Sequence, residues 1–204
     1  MSYNPNAIEG LPIPRDPNTI EGELAVNRSV VNDTDNYNTL LNEAASHWGQ
    51  DPQALEGYMD RIAFHETGGT RDPRQEQIAY ETDEYGNKTR KEARGRGLFQ
   101  FETGAGYGGE TAINRLHEHY NRMGLDIPDW AVTGEEGFDA STLSPQQQKM
   151  LFLSNARRHP TASFKGVTEE NLGKQYWAPY HWAGAEKDRE GHIASFEDSM
   201  RHYK

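Results

Sequence analysis

Glu66 is the residue whose type and position best suit it to chemistry. Leu55, Met59 and Ile62 recur at helical spacing, and Glu66 lies eleven residues after Leu55, which is three turns and therefore the same apolar face. We expect its carboxyl group to point inward, where burial and the negative end of the helix dipole both raise its pKa. A carboxylic acid that is still protonated near neutral pH can give a proton to the leaving oxygen as a glycosidic bond breaks.

The neighbouring residues define the helix that presents Glu66. Asp51 suits the N-cap, Pro52 suits the first helical position, and Gly68 and Gly69 are suited to end the helix. Taken alone, a glutamate before two glycines is more often a solvated helix end than a catalytic group. The catalytic interpretation therefore depends on the sequence that follows.

Three motifs occur in a characteristic order along the chain. Glu66-Thr67 is followed by Gly97-Leu98-Phe99-Gln100 and then by Tyr180-His181-Trp182-Ala183-Gly184. A helix ending in Glu-Ser or Glu-Thr, then Gly-Leu-Met-Gln, then Tyr-Asn-Ala-Gly, is typical of the lytic transglycosylases of the lysozyme superfamily. The chain resembles this family from about residue 51 to residue 184, roughly two thirds of its length.

The resemblance implies a fold and a set of site residues. The fold would be α+β and mostly α, a lysozyme-like helical domain with a small β-hairpin lobe. Glu66 would be catalytic, Gln100 would orient the sugar or Glu66, and Thr67 would position the catalytic end of the helix. The substrate-binding set implied by the motifs is Thr67, Phe99, Gln100, Tyr180, His181 and Trp182.

Two of the three motifs depart from the family pattern. Phe99 stands where the family has methionine, which preserves a bulky apolar wall. His181-Trp182 replaces the Tyr-Asn of the third motif, so either Tyr180 supplies the hydroxyl from one position earlier or His181 supplies the polar group beside the sugar.

The reaction that the resemblance implies uses one carboxyl group. Glu66 would protonate the oxygen of the β-1,4 bond between N-acetylmuramic acid and N-acetylglucosamine, and its carboxylate would then take the proton of the muramic acid C6 hydroxyl. That hydroxyl attacks within the sugar and leaves a 1,6-anhydro product. We expect neither a metal ion nor a cofactor.

Two alternatives remain open on the sequence alone. A hydrolytic lysozyme (a muramidase or endolysin) on the same fold would need a second carboxylate, for which Asp72, Glu81, Asp83 and Glu102 are candidates. A non-catalytic structural virion protein could keep a lysozyme-like domain for assembly. The presence of both Glu66 and Gln100 disfavours that second alternative.

The segment between the first two motifs is longer than in the soluble bacterial members of the family. Within residues 77–94, two polar, strand-like runs flank Asp83-Glu84-Tyr85-Gly86, which predicts a β-hairpin with glycine in the turn. This hairpin insertion is interpreted either as an enlarged wall of the saccharide cleft or as a surface loop without substrate contact.

Composition sets the outer bounds on organisation and partners. The chain has 204 residues, no cysteine and a net charge of −11, which argues against binding to nucleic acid or to an anionic membrane surface. Residues 1–36 are rich in Asn and Pro without a helical period, and we interpret them as an extended docking arm preceding a domain at 37–204. Neither a signal-peptide pattern nor a stretch of membrane-spanning length is evident.

An acidic surface, a docking arm and no export signal together resemble the virion-associated transglycosylases of tailed bacteriophages. The resemblance implies a protein carried in the virion that acts in the host periplasm and cell wall before genome ejection. Its expected partners are the glycan strands of peptidoglycan and, through the arm, other virion proteins.

Two further patterns have ordinary explanations. Residues 104–109 satisfy Gly-x-Gly-x-x-Gly, but no second buried strand follows at the spacing of a dinucleotide-binding unit. His65, Asp72 and His181 could be imagined as metal ligands, yet no His-Glu-x-x-His spacing is present. Loop glycines and surface histidines are the preferred interpretations.

The other predicted elements are helices of the body. Apolar faces occur at residues 40–48 and 113–123, Ser144 opens a capping box, and further helices are expected from Thr168 and around residues 193–200. The aromatic cluster Tyr176, Trp177, Tyr180 and Trp182 is expected to divide between the core and the cleft.

Overall fold

The structure is a computed structural model of the chain. It describes residues 17–77, 79–91, 93–104, 108–132, 137–181 and 189–204, with the backbone alone for 17–32, 79–82, 90–91 and 181.

The described residues are mostly helical, with two small antiparallel sheets. The helices are α1 (Pro17–Trp48), α2 (Pro52–Glu66), α3 (Gly108–Met123), α4 (Pro145–Arg158), α5 (Ala178–His181) and α6 (Arg189–Met200), with short 3-10 turns at Asp129–Ala131 and Ala140–Thr142 and a π-helix at Gly173–Trp177. The strands are β1 (Ala79–Thr82), β2 (Lys88–Lys91), β3 (Gly95–Arg96) and β4 (Phe101–Glu102). An α+β, mostly α class is therefore confirmed.

The first helix differs from the sequence prediction. Residues 17–36 were expected to be extended, but from Pro17 onward they are the beginning of α1, while residues 1–16 lie outside the described part. The packed second half of α1 supplies the reason: Leu40, Ala44 and Trp48 are buried, and once that nucleus exists each added residue gains a backbone hydrogen bond. The packing of the second half of α1 therefore outweighs the weak helix propensity of residues 17–36.

No helix in the described part of the chain is both long enough and apolar enough to cross a membrane.

Four helices enclose the hydrophobic core. α4 packs along α3 and α1, and α2 packs against α1. α1, α2 and α3 each contribute one apolar face at helical spacing, as the sequence pattern predicts. α4 is instead buried at every position from Met150 to Ser154, and therefore on all of its sides. The fully buried side chains among them include Leu40, Leu55, Met59, Ile62, Ile113, Leu116, Tyr120, Met150 and Leu151.

Local signals located most of the other elements correctly. Ser144 and Gln147 form the expected capping box at the start of α4, and the helices expected near 113–123 and 193–200 are α3 and α6. The helix expected from Thr168 begins later, because the side chain of Asn171 accepts the Thr168 backbone N–H and the chain first forms turns.

The predicted hairpin is confirmed. β1 pairs antiparallel with β2, with Ala79 opposite Lys91 and Thr82 opposite Lys88. At the turn, Asp83 accepts backbone hydrogen bonds from Tyr85 and Asn87 at 2.9 and 2.8 Å. Hydrogen bonds from the side chain and backbone of Asn87 are the main reason that the pKa of Asp83 lies below its ordinary value.

A buried polar cluster joins α1, α3 and α4. His119 Nε2 lies 3.1 Å from Glu43 Oε2, His119 Nδ1 lies 3.1 Å from Ser154 Oγ, and Arg157 holds both Glu43 oxygens at 2.8 to 3.1 Å. Burial alone would raise the pKa of Glu43, but hydrogen bonds and charge from Arg157, with a smaller contribution from His119, keep that pKa below its ordinary value. Because Ser154 and His119 are completely buried, this serine, histidine and glutamate are interpreted as an anchor for α1.

Removal of Arg157 is expected to destabilise the protein through this cluster. Arg157→Met leaves the Glu43 carboxylate half-buried without its main partner, and we expect the free energy of unfolding in urea to fall by about 3 kcal/mol. The matched control is Arg158→Met, because Arg158 pairs with the exposed Glu118 and its loss is expected to cost less than about 1 kcal/mol. Equal losses in the two variants would contradict the anchoring role.

Candidate active site

The helix that presents Glu66 has the predicted boundaries. Asp51 caps α2 by accepting the Ala54 N–H at 3.1 Å, and Glu66 is the last helical residue. Gly68 and Gly69 follow with φ values of 59° and 89°, a region that side chains disfavour. The carboxyl group is thus held at a helix end that the local sequence specifies.

Glu66 is largely buried and has one neighbour that the sequence could not reveal. The indole Nε1–H of Trp177 donates a hydrogen bond to Glu66 Oε1. Burial raises the pKa of Glu66 to about 7, while the Trp177 hydrogen bond acts in the opposite direction because it favours the carboxylate. Near neutral pH the group therefore populates both its acid and its base form.

Helix α6 packs behind this pair. The Trp177 ring stacks on Phe196 with 5.3 Å between ring centroids. His65 and Trp177 are in a T-shaped arrangement with 4.5 Å between ring centroids. His65 Nδ1 lies 2.7 Å from Ser199 Oγ. Burial of His65, and to a smaller extent the charge of His192, lowers the pKa of His65 to about 4. His65 is therefore a neutral packing residue at physiological pH.

No group of three metal-binding side chains is assembled anywhere in the described ranges. The side chain of His181 lies outside them, so the imagined His65, Asp72 and His181 set is not tested as a whole. Of the other two residues, His65 has its ring committed to Ser199 and Trp177, and the exposed Asp72 accepts the Arg74 N–H.

Thr67 holds the end of α2. Its hydroxyl donates to the Ala63 carbonyl at 2.7 Å and accepts the Arg71 N–H at 2.9 Å, and the side chain is buried. The hydroxyl thus uses its donor and one of its two acceptor positions on backbone groups at the end of the helix, which favours the positioning role. Substrate binding by Thr67 stays a prediction.

Gln148 on α4 fixes the second motif, and sequence analysis missed it. It is completely buried, accepts the Leu98 N–H at 2.6 Å and donates to the Pro73 carbonyl at 2.8 Å. Gly97 fits this clamp because its φ is 79° and because a Cβ there would lie only 2.3 Å from Gln148 Oε1. A glutamine on the apolar face of a predicted helix was the available signal.

Gln100 adopts an unusual backbone conformation next to the clamp. Its φ of 52° lies in the left-handed region, at a cost on the order of 1 kcal/mol for a residue with a side chain. The side chain Nε2 donates to the Gly97 carbonyl at 2.7 Å, whereas Oε1 is buried and accepts no hydrogen bond from the described residues. The Gly97 N–H in turn donates to the Gln75 carbonyl at 2.8 Å. This hydrogen bond joins the loop of Gln100 to the loop that follows Glu66.

Three residues predicted from the motifs share one cavity. Phe99, Gln100 and Tyr180 line a cavity of about 310 Å³, together with Tyr176 and residues of α3 and α4. Phe99 also stacks on Phe152 with 4.3 Å between centroids, so it serves both core and cavity. The described lining does not include Glu66.

The segment from Gly173 to His181 links the cavity to Glu66. It begins as a π-helix, in which Ala178 N–H bonds to the Gly173 carbonyl five residues earlier, and continues as α5. Tyr176 and Tyr180 line the cavity, while Trp177 of the same segment meets Glu66. Gly173 is required by close packing, since a Cβ there would lie 2.8 Å from Phe196.

The third motif is described only in part. The Tyr180 hydroxyl donates to the Thr161 carbonyl, so in this conformation it does not act as a donor to a ligand. His181 ends α5, but its side chain lies outside the described residues, as does Trp182. Their substrate-binding roles stay predictions.

The four candidates for a second carboxylate differ in their surroundings. Asp83 is committed to the hairpin turn, and the exposed Asp72 accepts the Arg74 N–H at 2.9 Å. Glu102 lines the cavity, and the side chain of Glu81 lies outside the described residues. Among the candidates whose side chains are described, Glu102 is therefore the one that lines the cavity.

The glycine-rich stretch at 104–109 has a structural explanation where it is described. Gly109 lies in the first turn of α3, where a Cβ would come within 2.6 Å of the Glu102 carbonyl and 2.7 Å of Phe138. Both sheets in the described part are antiparallel, unlike the parallel unit of a dinucleotide site. Residues 105–107 lie outside the described part.

Comparison with known protein families, curated proteins and solved structures finds no significant match for this chain.

Loss of the indole N–H is expected to raise the pKa of Glu66 further. Trp177→Phe keeps an aromatic ring but removes the donor that favours the carboxylate, so the pKa should rise above about 7 in an NMR titration of the glutamate carboxyl carbons. Trp130→Phe is the matched control, because that indole donates to Asp33 instead. A Glu66 pKa that is unchanged or lower in Trp177→Phe would contradict the assignment.

Glu66 is also expected to make stability depend on pH. Its pKa is about 7 in the folded protein against 4.5 as a model value, so its contribution to stability is fully present below about pH 4.5 and is lost as the pH rises through about 7. Relative to Glu66→Gln, the wild type should lose up to about 3 kcal/mol of unfolding free energy between about pH 4 and about pH 8. Parallel urea-unfolding profiles for the two proteins over that range would contradict this.

Proposed function

We propose that this protein is a lytic transglycosylase that cleaves the glycan strands of peptidoglycan, with Glu66 as its catalytic acid and base. The observation that carries the proposal is a single carboxyl group at the end of α2, whose burial brings its pKa to about 7. A group with this pKa can both give and take a proton near neutral pH, as a reaction with one catalytic carboxyl group requires.

The proposed reaction returns Glu66 to its starting state. The protonated carboxyl group gives its proton to the oxygen between N-acetylmuramic acid and N-acetylglucosamine, and the C1–O bond breaks. The resulting carboxylate takes the proton of the C6 hydroxyl as O6 forms a bond to C1, which closes the 1,6-anhydro ring. Because the nucleophile belongs to the same sugar, its position supplies much of the acceleration, and no water enters the product.

The surrounding groups support this use of Glu66. Trp177 orients the carboxyl group through its hydrogen bond and stabilises the carboxylate formed in the first step. Gln148 fixes the loop that carries Phe99 and Gln100 at the cavity, where aromatic rings and amide groups suit a saccharide. The proposed lysozyme-like arrangement of helices and hairpin is consistent with these contacts.

Delivery in a phage particle is the second part of the proposal. Its support is the net charge of −11, which is unfavourable for adhesion to an anionic cell wall, together with the motif resemblance. The proposed partners are the glycan strands of peptidoglycan and other virion proteins contacted by the N-terminal region. Detection of the protein in purified phage particles by mass spectrometry tests this part separately.

Product analysis tests the proposed reaction. Purified peptidoglycan is incubated with the wild type, with Glu66→Gln and with Glu118→Gln, a control at an exposed glutamate paired with Arg158. We expect 1,6-anhydro muropeptides from the wild type and from the control, and a loss of about a thousandfold or more in rate for Glu66→Gln, because no proton reaches the leaving oxygen.

The alternative results point to different functions. Reducing-end products, which carry one additional water molecule, would indicate a hydrolase and would direct attention to Glu102 as the second carboxylate. No release by folded wild-type protein over a broad pH range would contradict catalysis and would favour the structural virion role.

A further inference from the structure

One part of the cavity carries a positive charge that the proposed reaction does not use. Arg115 of α3 reaches the cavity beside Asn155 and His159 at the end of α4, and Arg115 Nη1 donates to Asn155 Oδ1 at 2.7 Å. Within the described residues, no carboxylate oxygen forms an ion pair with this guanidinium. A half-buried cation without a counter-charge favours binding of an anion, and the planar fork of arginine matches a carboxylate.

His159 adds a hydrogen-bond donor of defined orientation. Its Nδ1 accepts the backbone N–H groups of Thr161 and Ala162 at 3.3 and 3.2 Å, so that nitrogen carries no proton. In the neutral ring the proton must then be on Nε2. Burial, followed by the charge of Arg115, lowers the pKa of His159 and keeps the ring neutral.

The cavity also holds an acidic residue, Glu102, near the start of α3. A Cβ on Gly108, the first residue of α3, would stand 3.3 Å from Glu102 Oε2. Arg115 follows Gly108 by seven residues on the same helix, which separates the two backbone positions by about 10 Å along the axis. In the described part of the chain Glu102 forms no ion pair with Arg115, so the guanidinium is available to an anion.

We propose that Arg115, Asn155 and His159 form a binding site for a carboxylate of the peptide stem of peptidoglycan. The carboxylate chemistry follows from these residues, whereas its assignment to a stem rests on the proposed function. In a glycan strand that keeps its stems, the lactyl carboxyl of each muramic acid is consumed in an amide bond, so the free carboxylates belong to the peptide. Phe99, Gln100 and Tyr180 line the same cavity and face the remainder of the ligand.

Peptide binding can be measured without any cleavage. The probe is an N-acetylated stem tetrapeptide with free carboxylates, titrated calorimetrically into the full chain. We expect Arg115→Gln to weaken binding about tenfold or more and Arg115→Lys to weaken it less, because lysine keeps the charge but lacks the fork. Arg122→Gln, at an exposed arginine in the last turn of the same helix, should bind like the wild type.

A second variant separates loss of the binding site from misfolding of the protein. Asn155→Asp places a carboxylate beside Arg115 as an internal counter-charge, so it should fold normally and yet weaken peptide binding. Thermal melting of each variant confirms that it is folded. Unchanged binding by folded Asn155→Asp and by folded Arg115→Gln would overturn the proposed site.

Three further binding results would show which part of the proposal is wrong. A peptide with all its carboxylates amidated should not bind the wild type, and binding equal to that of the free acid would overturn the proposal. Glycan strands stripped of stems expose lactyl carboxylates, so a loss of their binding in Arg115→Gln without a loss of peptide binding would overturn the stem assignment. Arg115-dependent peptide binding by a protein that cleaves no peptidoglycan would sustain the carboxylate site and reject the catalytic function.

Discussion

The hydrogen bond between Trp177 and Glu66 is the interaction on which the site depends. It joins the end of α2 to a segment more than a hundred residues later, and it acts on a carboxyl group whose burial would otherwise disfavour any charge. Burial and hydrogen bonding oppose each other here, and their balance leaves the pKa near neutrality. The ring of Trp177 is held in turn by Phe196, so α6 contributes to the chemistry without containing a reactive group.

A second constraint is the buried amide of Gln148. A polar group without access to water must satisfy its hydrogen bonds inside the protein, and Gln148 does so with backbone groups on both sides of the hairpin. One side chain thereby fixes the loop after Glu66 relative to the loop that bears Phe99 and Gln100. The glycine at position 97 is a consequence, since any larger residue would occupy the space of the amide.

Local sequence signals predicted local structure well. The caps of α2 and α4 and the Asp83 turn each depend on residues within four positions of one another, and all three are confirmed. Trp177 and Gln148 were missed as partners because their contacts depend on how distant segments pack. The opposite error occurred at residues 17–36, where weak local propensity predicted an extended arm and the packed half of α1 allowed the helix to extend. The lysozyme-like fold and the catalytic function remain proposals.

The π-helix at Gly173–Trp177 has a consequence for how this chain tolerates insertions and deletions. A π-turn holds one residue more than an α-turn in about one turn of helix, so removal of one residue from it restores α-helical spacing and leaves the later side chains close to their present directions. Removal of one residue from the α-helical turn that follows, at Ala178 or Pro179, would instead turn Tyr180 by about 100° and out of the cavity, although Tyr180 itself had not been replaced. The place of a deletion in this segment, and not only the number of residues removed, therefore decides whether the cavity keeps its lining.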